Sequence, residues 1–72
     1  MKKTYLAEGL IEWRLQLPLP PNEVRKTVDI EFTGGQYTGY GISPARYTTQ
    51  DPLIQDALER TSWFKSGKIR LM

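Results

Sequence analysis

The chain has 72 residues, ten cations against eight acids for a net charge of +2, and neither cysteine nor histidine. That length supports one small domain, which buries only about 60% of its unfolded surface and so needs good packing or a partner. Without cysteine there are no disulfides or thiolate metal sites; without histidine the usual general base, zinc ligand and pH switch are missing; and +2 is too small to argue for nucleic acid by itself.

Residues 4–17 carry a long period-two pattern. Tyr5, Ala7, Gly9, Ile11, Trp13, Leu15 and Leu17 fall on one parity; Thr4, Glu8, Glu12, Arg14 and Gln16 fall on the other, interrupted by Leu6 and Leu10. Successive strand side chains point to opposite faces, so this reads as an extended segment with one wet and one dry face. Fourteen such residues would span roughly 46 Å, against a diameter of about 30 Å for a compact chain of this size. The segment must bend at Gly9, or residues 1–8 must project as an arm. Pro18-Leu19-Pro20-Pro21-Asn22 then forms a stiff connector.

Alternation resumes at Glu23. Val24, Val28, Ile30 and Phe32 point one way; Arg25, Thr27, Asp29, Glu31 and Thr33 point the other. Gly34-Gly35 is a hairpin signal, with Gln36 to Ile42 as the return strand. Tyr37 and Tyr40 have opposite parity, so at least one is exposed. Ser43-Pro44 breaks the strand, and Ala45 to Thr48 is a short extended piece with Tyr47 turned inward. Asp51 fits a helix N-cap with Pro52 as first helical residue. Leu53, Ile54, Ala57 and Leu58 make the apolar stripe, while Gln55, Asp56, Glu59 and Arg60 face water. Trp63 and Phe64 seal the helix end, Ser66-Gly67 stops it, and Lys68 to Met72 form a last strand. The order β-β-β-(β)-α-β predicts an α+β domain, residues 1–72, with one helix on a small antiparallel sheet. Trp13, Val28, Ile30, Phe32, Leu53, Ala57 and Leu58 are the expected core.

No apolar run approaches membrane-spanning length, and Lys2-Lys3 is not followed by a signal-type apolar core. A soluble protein of the cytosol or a virion is the default expectation, with no membrane partner.

The stretch Thr33 to Gly41 resembles a phosphate loop in composition, but its glycines lie in a hairpin rather than at a helix start. Gly39-Tyr40-Gly41-Ile42 matches half of a base-stacking RNP1 strand, without the leading cation. Cross-strand ion pairs on a wet face account for Glu8, Glu12, Arg14, Asp29 and Glu31. No acidic pair is placed for catalysis, so neither enzyme activity nor a cofactor is expected. The candidate contact residues are Lys2, Lys3, Tyr5 and Leu6 on the arm, the tyrosines Tyr37 and Tyr40, and the terminal cations Lys65, Lys68 and Arg70. If the termini lie in adjacent strands, these cations make a modest basic patch.

The segments Phe32-Thr33-Gly34-Gly35, Tyr47 to Glu59 and Phe64-Lys65-Ser66-Gly67-Lys68-Ile69 resemble small proteins of tailed bacteriophages and prophages. The shared pattern is a glycine hairpin, a T-x-D-P-x-x-Q-x-x-I/L-E helix, and F-x-x-G-x-I. It covers about half the chain. The resemblance implies a structural or accessory virion component and carries over no site residue. The expected function is therefore a non-enzymatic assembly module whose partner is a protein: itself, another virion protein or a host protein. The alternative is a nucleic-acid-binding module that uses the basic termini and exposed tyrosines.

Overall fold

A computed structural model describes all 72 residues. Seven strands and two short helices follow in the order β1 (Lys3–Ala7), β2 (Trp13–Pro18), β3 (Thr27–Phe32), β4 (Gln36–Thr38), β5 (Gly41–Ser43), β6 (Ala45–Thr49), α1 (Pro52–Glu59), α2 (Ser62–Ser66) and β7 (Ile69–Leu71). The class is α+β with antiparallel pairing, as the alternation and the single capped helix predict.

The strands form three ladders. β1 is the centre of a three-stranded sheet, with β6 and β7 on its sides. β2 and β3 form a two-stranded ribbon whose register pairs Trp13 with Phe32 at one end and Pro18 with Thr27 at the other. A bridge between Thr33 and Arg46 joins ribbon to sheet through N–H to carbonyl bonds of 3.0 and 2.7 Å. The third ladder is the β4–β5 hairpin.

The core collects Tyr5, Ala7, Leu17, Ile30, Phe32, Ala45, Ile54, Leu58 and Ile69. Ile54 and Leu58 sit four residues apart and place one face of α1 on the strands. Of the expected core, Ile30, Phe32 and Leu58 are fully buried. Trp13, Val28 and Ala57 pack against the cluster half-buried, and Leu53 stays at its margin. Trp13 stacks on Phe32 at 5.7 Å and meets Trp63 edge-on at 5.1 Å, so it closes the rim rather than the centre.

Of the two alternatives for the first segment, the bend at Gly9 forms and the projecting N-terminal arm does not. The extended pattern is two strands, not one, because Gly9 adopts φ 77° and the Leu10 N–H bonds back to the Ala7 carbonyl at 3.3 Å. A positive φ costs glycine little and other residues much, so the chain turns there. Residues 3–7 thereby become the most enclosed strand of the sheet, with Tyr5 and Ala7 wholly buried. The other corrections follow from similar local causes. Val24 stands 94% exposed in the Pro20–Lys26 connector, because β3 begins only at Thr27. Gln55 is buried instead of wet; its amide donates to the carbonyls of Met1 and Thr49. Gly34-Gly35 is not a hairpin turn: β3 pairs with β2, and the reversal comes later at Gly39-Tyr40.

Helix ends obey local rules. The Asp51 carboxylate accepts the Leu53 N–H at 2.9 Å, with Pro52 at the first helical position. This bond, with Arg25 at 3.3 Å, holds the Asp51 carboxyl below the usual carboxylate range. Asp51→Ala is expected to lower the melting temperature by several degrees, since a first-turn amide loses its acceptor. A second helix lies beyond: Thr61 Oγ1 accepts the Phe64 N–H at 3.1 Å, and Gly67 ends α2 at φ 88°.

Glu59, expected to face water, instead ties α1 to β1. Its Oε2 accepts the Tyr5 hydroxyl at 2.6 Å and the Lys3 ammonium at 3.0 Å. The Tyr5 bond first, then Lys3, lowers the Glu59 pKa; burial, reinforced by Glu59, raises that of Tyr5 well above its ordinary value. A depressed carboxyl contributes stability that is present above its unfolded value near 4.5 and is lost as pH falls through its folded value. A raised phenol contributes stability that is present below pH 10 and is lost as pH rises further. Tyr5→Phe is therefore expected to flatten the loss of stability at both ends, measured by urea unfolding at pH 3, 7 and 10.5. An unchanged pH profile in that variant would remove the triad from the account.

Candidate functional site: a projecting hairpin

From Gly34 to Ala45 the chain carries no charged side chain, though a quarter of all residues are charged. Gly34, at φ 81°, and Gly35 release the chain from the end of β3. Gly35 lies against the backbone of the Leu10–Ile11 crossing; its N–H donates to the Ile11 carbonyl at 3.1 Å. A Cβ there would fall 2.7 Å from the Ile11 carbonyl oxygen and 2.9 Å from the Ala45 nitrogen.

Beyond this root β4 and β5 pair only with each other, in the register Gln36–Ser43, Tyr37–Ile42 and Thr38–Gly41. Thr38 Oγ1 clips the turn, donating to the Gly41 carbonyl at 3.0 Å and accepting the Tyr40 N–H at 3.2 Å. Every residue from Gln36 to Ile42 is exposed. Tyr37 is 74% exposed, Tyr40 is fully exposed at the turn, and Ile42 sits opposite Tyr37. An isolated two-stranded hairpin is marginal in water, and this one has three residue pairs and no core contact. It stands off a molecule of 46 × 22 × 20 Å. The arm expected at the N-terminus has its counterpart here.

The structure brings together only part of the expected contact set. Tyr37 and Tyr40 share the hairpin, and both are exposed although only one exposed tyrosine was required. Tyr5 is unavailable, its ring edge-on to Phe64 at 6.3 Å. Leu6 is half-buried within β1, paired with Arg46 and Arg70. The termini do lie in adjacent strands, but their cations are partly engaged: Lys3 pairs with Glu59 and Arg70 with Glu8. Lys68 lies over Gly9, half-buried. Lys2 and Lys65 are exposed. Of the expected cross-strand pairs, Arg14–Glu31 forms at 3.4 Å, while Asp29 takes the Gln16 amide at 3.1 Å.

Sequence reasoning missed a second feature. Where β2 meets the proline connector and α1, an open groove of about 400 Å³ is lined by Leu17, Pro18, Pro20, Pro21, Leu53 and Ala57. Its two charged residues, Asp56 and Arg60, pair with each other at 2.9 Å. The clustering of three prolines with a helix stripe was the only available signal. No group of three metal-ligating side chains occurs, and no helix is long and apolar enough to cross a membrane. No protein-family model, curated protein or solved structure matches the chain.

Proposed function

We propose that this chain is a non-enzymatic protein-interaction module that docks through the β4–β5 hairpin, in the setting of a tailed-phage particle. One observation carries the docking reading: an uncharged hairpin bearing Tyr37, Tyr40 and Ile42 is held away from the core that could have buried it. Exposed aromatics beside open strand edges are what a protein partner takes up by burial and strand pairing. The phage setting rests on the sequence resemblance alone. A nucleic-acid role is disfavoured at this site because there is no cation between Lys26 and Arg46 to meet phosphate.

A photo-cross-linking residue at position 40 tests the reading in the producing cell, with position 24, equally exposed but off the hairpin, as control. Position 40 is expected to capture a discrete protein that position 24 does not. Nucleic-acid adducts at 40, or equal capture at both positions, would overturn it.

A further inference from the structure

We propose that the partner of the hairpin is a second copy of this chain, with the Tyr37–Tyr40–Ile42 tip of one copy seated in the proline-lined groove of the next. This inference rests on the reading of the hairpin as the docking element and names its occupant.

The two features are matched in chemistry. The hairpin has no charge, and the groove presents none that is uncompensated, because Asp56 and Arg60 neutralise each other. Contact between these surfaces therefore places no unpaired charge of one copy against the other. Three prolines hold the groove wall at fixed φ, so it is preformed and little ordering entropy is lost on binding. Proline rings are favoured neighbours of tyrosine faces, as in the recognition of extended proline segments by aromatic side chains.

The two features are also placed for head-to-tail addition. The hairpin leaves from the Trp13–Phe32 end of the β2–β3 ribbon, and the groove lies at its Pro18–Thr27 end. Six residues of strand separate the ends by roughly 20 Å, whereas the hairpin reaches roughly 13 Å from its root. A copy cannot fill its own groove. Each copy offers one hairpin and one groove, which is a heterologous interface and generates a ring or a filament.

Two blocked variants read this out by sedimentation velocity. Tyr37→Ser with Tyr40→Ser keeps the groove and loses the tip; Leu53→Arg keeps the tip and closes the groove. The wild-type chain is expected to grow in size with concentration up to about 1 mM, with association weakened at least ~10-fold in each variant alone. An equimolar mixture of the two variants should form a heterodimer and stop there. A wild-type monomer throughout, a Leu53→Arg chain that still self-associates, or two folded variants that fail to combine would each overturn the proposal. Should Leu53→Arg not fold, a cross-linker at position 40 mixed with wild-type chain replaces it. Capture of residues 17–21 or 53–61 of a second copy supports the proposal, and capture elsewhere overturns it. A chain that stays monomeric when pure, yet captures another protein through position 40 in the cell, loses the second copy and keeps the docking reading. Capture of nothing removes both.

Discussion

Phe32→Ala is expected to bring the domain to the edge of unfolding at 25 °C. Phe32 is completely buried, stacks on Trp13 and lies 5.9 Å from Tyr47, so it links the ribbon to the three-stranded sheet. Truncating a buried phenylalanine costs about 3–5 kcal/mol through lost transfer energy and the cavity left behind. A domain of this length has roughly 4–11 kcal/mol in all. Urea unfolding should show the midpoint collapse toward zero denaturant, with the slope retained if the unfolding stays two-state. A midpoint shift equivalent to less than ~1 kcal/mol would move the centre of the core elsewhere.

Gly35→Ala is expected to be nearly as damaging without removing a single buried atom. The new methyl would press on the Ile11 carbonyl and the Ala45 nitrogen, which are backbone atoms and cannot rotate away. Relief requires the Leu10–Ile11 crossing to separate from the hairpin root, straining the Gly35–Ile11 and Ala45–Leu10 bonds of 3.1 and 2.8 Å. Overpacking of this kind with loss of one hydrogen bond costs about 2–4 kcal/mol. For so small a domain this lowers the melting temperature by more than ~10 °C. Gly39→Ala is the control. A Cβ at Gly39 meets nothing within 4 Å, so its melting temperature should stay within a few degrees of wild type. Equal losses in the two variants would rule out the close approach as the cause, because the entropy change of a Gly→Ala replacement by itself is stabilising.

What could be read in advance was local. Asp51-Pro52 marks the start of α1 and Gly67 the end of α2, because a cap involves only residues within a turn of it. The alternation of Val28, Ile30 and Phe32 marks β3 for the same reason. The sequence left the corner at Gly9 and a projecting arm as alternatives, because Tyr5 and Ala7 before Gly9 and Trp13, Leu15 and Leu17 after it keep one parity across a five-residue crossing. Parity reports which face is buried, not whether the strand is continuous. Gly34-Gly35 reads as the turn because it directly follows the β3 alternation; the reversal falls instead at Gly39-Tyr40 because β2 takes β3 as its partner, a pairing remote from the glycines themselves. Gln55 and Glu59 read as wet because their partners, the Met1 carbonyl and the Tyr5 hydroxyl, are 54 residues away. The site was half legible. Tyr37 and Tyr40 stand out by their aromatic character and opposite parity, whereas Lys2, Lys3, Tyr5 and Leu6 read as an arm that the Gly9 turn folds onto the sheet.

Amide hydrogen exchange at two concentrations decides between an N-terminal arm and a hairpin arm. In a dilute monomer, amides of residues 3–7 should be among the slowest to exchange, because β1 is hydrogen-bonded on both sides, and those of residues 36–43 among the fastest. When the chain is assembled with its partner, residues 36–43 should slow while residues 3–7 stay as they were. Rapid exchange of residues 3–7 in the monomer, with residues 36–43 already protected there and unchanged by assembly, would contradict both the fold position of β1 and the docking role of the hairpin.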